Sequence, residues 1–168
     1  MVRSLLLSVG AAAVFLASVS GPTAVHAQEA VGVEPLHFTY LGAAGWRISD
    51  GNVVVLIDPW PSRLKYGGGG HPDDDRPDFA RTDLAWSDTT LIDNVIGDAD
   101  FILVHHGHFD HLGDVPYIAR KTGAKVIGTE TTMMILRAYG IPDEQLYAVG
   151  GGEDYQFDGF SVRVVPGI

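Results

Sequence analysis

Cysteine is absent from the 168-residue sequence. That excludes a disulfide framework, thiolate metal ligands and a thiol nucleophile, so stability has to come from an apolar core or from bound metal. Basic residues are also scarce. Eleven Lys and Arg stand against 21 Asp and Glu, giving a net charge of −10, and no basic stripe interrupts the acidity. A phosphate backbone is repelled by such a surface, and no nucleic-acid partner is expected. Long hydrophobic runs are missing too. The apolar stretch Leu5 to Val19 covers 15 residues, short of the roughly 20 that a bilayer span needs. Arg3 precedes it, Gly21-Pro22 ends it, and Val25-His26-Ala27 offers small residues before Gln28. Residues 1–27 therefore read as a secretory signal peptide, with the mature domain at 28–168, a periplasmic or extracellular location, and no stable membrane span after cleavage.

What is present is the composition of one globular domain, 46% apolar and 19% charged. From Leu36 the pattern is that of strands. "LHFTYLG" alternates, "GWRIS" follows a small-residue turn, and "NVVVLIDP" is an apolar, β-branched run. Asp50-Gly51-Asn52 is a hairpin signal, which predicts an antiparallel meander. Residues 60–87 contain "GGGGHPDDDRPD", whose glycines, prolines and acids predict a long surface loop without packed elements, a solvated insertion or a lid over a cleft. The glycine run lacks the Lys-Ser/Thr of a phosphate loop, and the acids lack calcium-loop spacing. Beyond it a βα alternation is predicted: helix "TTLIDNVIG", strand "DFILVHH", helix "HLGDVPYIARKTG" closed by Gly123, strand "AKVIG", and helix "TETTMMILRAYG" capped by Thr129 or Thr131. The last 23 residues return to strands, with a turn at Phe157-Asp158-Gly159-Phe160. The fold class is mixed α/β.

Four of the seven histidines fall between His105 and His111, in "LVHHGHFDHLGD". A strand ends there and a helix begins, so the imidazoles are placed in the crevice where α/β chains bind ligands. His106 and His108 are two apart and leave the same face of an extended segment. Asp110 and His111 stand at the helix start. Neutral imidazole and carboxylate suit zinc or another first-row divalent metal, and a catalytic ion takes three protein ligands plus a water. Such a water has a pKa lowered to about 7, which makes hydroxide available at neutral pH, with Asp110 to orient or deprotonate it. Metal-assisted hydrolysis is the reaction class that follows. His105 is expected to face the other side of the strand as a buried structural residue. His37 and His71 are expected to be structural or exposed, and Met133 and Met134 to serve packing only.

The segment His106-Gly107-His108-Phe109-Asp110-His111 resembles the H-x-H-x-D-H motif of the metallo-β-lactamase-fold hydrolases; "VVVLIDPW" resembles the strand, ending here in Asp58, that precedes the motif in this superfamily, and "YLGAAGW" is similar to the opening strands of its lactonase-like branch. The resemblance implies an αββα sandwich, with His106 and His108 on a first Zn2+, Asp110 and His111 on a second, and Asp58 supporting them from behind. It implies a metal-dependent hydrolase acting through a metal-bound hydroxide on a small-molecule ester, lactone, amide or phosphodiester. The family completes its two metal sites with later histidines and an aspartate, yet no histidine follows His111 here. The chain is thus expected to carry about the N-terminal half of the sandwich and to leave one apolar sheet face uncovered. The alternative is a noncatalytic metal-binding protein, or a site completed by a partner chain.

Overall fold

The computed structural model describes residues 35–66, 73, 74, 76, 78–80 and 82–166. The signal peptide expected at 1–27, the glycine run 67–70 and His71 lie outside the described residues. Among the described residues, no helix is long and apolar enough to cross a membrane.

The first three strands are β1 (His37–Gly42), β2 (Gly45–Ser49) and β3 (Val54–Ile57). They form the antiparallel meander that the Asp50-Gly51-Asn52 turn predicts. Asp50 closes this turn by accepting the Asn52 and Val53 N–H groups at 2.9 and 2.8 Å. Two short strands follow, β4 (Lys65–Tyr66) and β5 (Asp78–Phe79), paired in parallel. Next come α1 (Thr89–Val95), β6 (Phe101–Val104), α2 (Phe109–Leu112), α3 (Val115–Thr122), β7 (Lys125–Thr129) and α4 (Glu130–Ala138). The chain then runs through β8 (Leu146–Val149), β9 (Asp154–Phe157) and β10 (Phe160–Arg163). A six-stranded mixed sheet has the order β1-β2-β3-β6-β7-β8, with β3, β6, β7 and β8 mutually parallel. Helical crossovers join those parallel strands, as parallel pairing requires.

The sequence explains where these helices begin and end. Asp88 caps α1 by accepting the Leu91 N–H at 2.9 Å, and Thr129 caps α4 by accepting that of Thr132. Gly123 ends α3 in the left-handed conformation, with φ +73°. The single helix expected from His111 is instead two, split at Gly113-Asp114. Here Asp114 is buried, and its carboxylate accepts the Ser62 N–H and Oγ–H, both at 2.8 Å. Pro116, in the first turn of α3, has no N–H with which to continue the helix from α2.

One sheet face is closed by the helices. Val54 and Leu56 of β3, Ile102 and Val104 of β6 and Val126 of β7 pack against Ile92, Ile96, Val115, Ile118, Met133 and Leu136. Each fully buried aliphatic side chain stabilises the fold by roughly 1.5–3 kcal/mol relative to exposure. The opposite face carries the alternate residues. Phe101 of β6 meets Phe157 and Phe160 of the β9–β10 hairpin at 4.5 Å between ring centroids, and Tyr147 meets Tyr155 at 6.0 Å. The hairpin covers this half only. Register places Phe38 and Tyr40 of β1 and Trp46 of β2 on the same face, and they remain 61%, 59% and 40% exposed. The uncovered apolar face expected from the sequence is therefore present.

Two expectations are corrected. The segment 60–87 is not a wholly unpacked loop: Trp60, Pro61 and Ser62 are buried, and β4 and β5 lie within it. The indole of Trp60 packs edge-on against Phe109 at 5.5 Å, so composition failed because one aromatic anchors the segment's start. Met133 lies in the core as expected, whereas Met134 is 64% exposed, one position around the helix from the buried stripe.

Ser62 Oγ also accepts the Asp88 N–H at 2.7 Å, so one hydroxyl joins the post-β3 segment, the α1 N-terminus and the α2–α3 junction. Burial raises the Asp114 pKa above the usual carboxylate range, partly offset by its hydrogen bonds from Ser62. A raised folded-state pKa makes this group's contribution to stability greatest below its unfolded pKa and declining as pH rises through the folded value. Ser62→Ala, which strips a donor from the buried carboxylate, is expected to cost about 1–3 kcal/mol at neutral pH in urea unfolding. The deficit should shrink as pH is lowered through the carboxylate range. A pH-independent deficit would disprove this account of Asp114.

Candidate metal centre

At the end of β3 the chain turns sharply at Asp58, whose φ is +40° and whose side chain is fully buried. Its backbone N–H continues the ladder to Leu103 O at 2.9 Å. Its carboxylate reaches across to the exit of β6. Oδ1 accepts the His105 N–H at 2.9 Å, and Oδ2 lies 2.6 Å from His105 Nδ1 and 2.8 Å from His111 Nδ1. A carboxylate can only accept, which places the proton of the closer contact on His105 Nδ1. His111 Nδ1 sits at ion-pair distance but outside hydrogen-bonding geometry, leaving a buried nitrogen without a hydrogen-bond partner.

The remaining motif residues follow from the strand-to-helix turn. β6 stops at Val104, and His108 is the extended residue before α2, with φ −75° and ψ 155°. His106 Nε2 and His108 Nδ1 approach to 3.0 Å. The His106 and His111 rings lie 4.0 Å apart between centroids, and His111 Nε2 is 3.5 Å from Asp110 Oδ2. All four motif residues thus form one contiguous group. Among the described residues, no three His, Asp or Glu side chains form a closed metal-binding set; the contacts are pairwise. Burial, and after it the charges of His111 and His108, holds the His106 imidazole below its ordinary pKa. That favours the neutral form that a metal requires.

His105 departs from expectation. It is not buried, its side chain being 70% exposed, and it pairs with Asp58 rather than filling a core position. Strand alternation gave the wrong answer because β6 ends one residue earlier, at Val104. His37 on β1 is exposed, as expected. The residues that sequence reasoning missed are Trp60 and Arg63, which line a pocket shared with Phe109 and Asp110. Their position after "VVVLIDP" was the available signal.

The beta-lactamase superfamily domain matches residues 37–168, nearly all of the described chain. The chain belongs to this family. A UPF0173 metal-dependent hydrolase of Heliobacterium modesticaldum is 33% identical over 122 residues, covering 73% of this chain and 41% of the relative. Another, from Agrobacterium fabrum, is 32% identical over 127 residues, covering 76% and 45%. A metallo hydrolase from the hyperthermophilic archaeon Ignicoccus hospitalis has a similar structure, with TM-score 0.53 at 25% identity, covering 78% of this chain and 48% of its own. The chain therefore spans less than half the length of these relatives. Its mixed sheet with helical crossovers is that of the metallo-β-lactamase fold.

The donor set fits a divalent metal: three imidazoles and a carboxylate in contact, with one buried imidazole nitrogen lacking a hydrogen bond. Asp58 stands behind one of these imidazoles, 2.8 Å from His111 Nδ1, as the type of partner that orients metal-ligating histidines, whose replacement costs about 10–100-fold in metal affinity. Asp58→Asn is expected to weaken Zn2+ binding to the chain by that factor in competition titrations with a chromogenic chelator. An unchanged affinity would show that Asp58 serves the strand ends alone.

Proposed function

We propose that the protein is a metal-dependent hydrolase in which His106 and His108 hold one ion and Asp110 and His111 a second. The observation carrying this reading is the contact chain His108–His106–His111–Asp110 at the exit of β6, backed by the buried carboxylate of Asp58. Zn2+ is the proposed metal because imidazole and carboxylate without thiolate suit it, while other first-row divalent ions share that preference. When bound, the metal polarises the scissile carbonyl or phosphoryl group and lowers the pKa of water. The chain's own contribution is orientation. Asp58 fixes the His105 ring by a hydrogen bond and stands 2.8 Å from His111 Nδ1, partial burial lowers the His106 pKa and so favours its neutral form, and Asp110 is the carboxylate placed to accept a proton from an attacking water. Two ligands per ion are fewer than the three a catalytic zinc takes, so the complete sites draw further donors from beyond the motif.

The proposed substrates are small ester, lactone, amide or phosphodiester molecules, in keeping with the relatives being metal-dependent hydrolases. A periplasmic or extracellular location, set by residues 1–27 as a signal peptide, belongs to the same proposal. A second reading follows from the exposed Phe38, Tyr40 and Trp46 face: a partner chain completes both the sandwich and the site.

The test is His108→Ala beside the parent protein, after loading with Zn2+ and removal of excess ion. Metal content by mass spectrometry is expected to fall by at least one ion per chain, and hydrolysis of phenyl acetate, a γ-lactone or bis(4-nitrophenyl) phosphate to be lost, with circular dichroism retained. Loss of metal without any parent hydrolysis, at all protein concentrations, would favour the noncatalytic metal-binding alternative. Retained metal would refute the assignment.

A further inference from the structure

Beside Asp110 lies an open pocket of about 340 Å³, walled by Trp60, Phe109 and the cations Arg63, Lys65 and Arg76. Three of the eleven cations of an acidic chain are gathered there. Two of them are committed. Lys65 Nζ is 3.3 Å from Asp78 Oδ1, and Arg76 is bound to Asp74, whose carboxyl it holds down at a pKa of about 2. Arg63 differs. Among the described residues its guanidinium has no hydrogen bond or ion pair, while its carbonyl oxygen accepts from Arg76.

Two further features fix Arg63 in place. Its backbone has φ +38°, a conformation that costs a non-glycine residue energy and persists where the surroundings impose it. Its side chain lies along Gly42, where a Cβ would come within 2.7 Å of Cδ and 2.8 Å of Nη1. Gly42 itself has φ +94°. A strained arginine is thus seated on a glycine, its charge without a partner among the described residues, between the pocket that Asp110 lines and a neighbouring one lined by Gly42, Leu91 and Val95. An unpaired guanidinium presents a planar fork of donors matched to a carboxylate or a phosphate.

We propose that Arg63 is the anion-recognition residue of this site and that the substrate is a small ester or lactone bearing a carboxylate or phosphate group. The inference rests on the hydrolase reading for the word substrate; the anion site itself does not. Arg63 orients the molecule by its charged end. Trp60 and Phe109 offer apolar walls to the part between that end and the scissile bond.

The experiment is titration calorimetry of the Zn2+-loaded protein with glutarate and, separately, inorganic phosphate, for the parent, Arg63→Gln and Arg63→Gly. One of the two anions is expected to bind the parent, and which one does distinguishes carboxylate from phosphate. Affinity should fall by about tenfold or more in both variants, the scale of one charge-assisted hydrogen bond. Arg63→Gly relieves the positive φ, so its thermal midpoint should not drop, which separates lost binding from lost folding. In parallel, the ratio of kcat/KM for mono(4-nitrophenyl) glutarate to that for 4-nitrophenyl acetate should fall about tenfold in Arg63→Gln if the carboxylate binds. Absence of binding by either anion to the parent, or equal binding by parent and variants, would overturn the proposal. Anion binding that depends on Arg63 in a protein that hydrolyses neither ester would instead overturn the hydrolase reading and leave the anion site standing.

Discussion

The buried carboxylate of Asp58 is the point on which the arrangement of this chain depends. It sits where the antiparallel meander hands over to the parallel part of the sheet, and it accepts hydrogen bonds from His105, 47 positions later in the sequence. Its backbone N–H extends the β3–β6 ladder by one bond to Leu103, and its side chain then takes over where the ladder stops. A fully buried carboxylate without donors would cost several kcal/mol. With the His105 N–H and ring on it, and His111 at 2.8 Å, the same group determines where β6 ends and which way the motif turns. Fold and site therefore share one set of contacts, and the motif cannot move without loosening the sheet edge.

Much of this was legible in the sequence because it is local. The β-branched run Val53 to Ile57, the run Phe101 to Val104, the Thr129 cap and the Gly123 stop each act within a few residues, and the strands and helices formed there. The clustering of His106, His108, Asp110 and His111 was legible for the same reason. What escaped was set by partners distant in sequence. Ser62 and Asp114 are 52 residues apart, and their hydrogen bonds tie the α2–α3 junction to the segment after β3. His105 was assigned to the core by strand alternation, yet β6 ends before it and its ring pairs with a carboxylate 47 residues upstream. The packing of Trp60 was hidden by the glycines and acids that follow it, since composition averages over a window and burial belongs to single residues.

The two faces of the sheet show the same division. The helical face reads as continuous apolar positions in β3, β6 and β7, and it is closed. On the other face, the β9–β10 hairpin reaches Phe101 and Tyr147 but not Phe38, Tyr40 or Trp46. A solvent-facing sheet surface ordinarily alternates to polar residues. Three aromatics in register on neighbouring strands depart from that alternation and form an exposed apolar patch.

Backbone strain is distributed just as unevenly, and its location is informative. Among the described residues, the non-glycine positions with positive φ are Ala43, Asp58 and Arg63. Register brings them to one edge. Gly45, two residues after Ala43, starts β2, and Trp46 pairs with Ile57, so the β1–β2 turn lies beside the end of β3. A Cβ on Gly45 would stand 3.1 Å from the Asp58 carbonyl oxygen, and Gly42 seats Arg63. Strained residues of this kind cost of order 1–3 kcal/mol each and persist only where neighbouring structure holds them. Their concentration at the edge that also carries the histidine motif, while the opposite edge has none among the described residues, means that the stability of the helical face offsets distortion at the site. The core formed by Leu56, Ile102 and Val126 holds the strands rigidly enough for Asp58 and Arg63 to keep conformations that neither would adopt in a free chain.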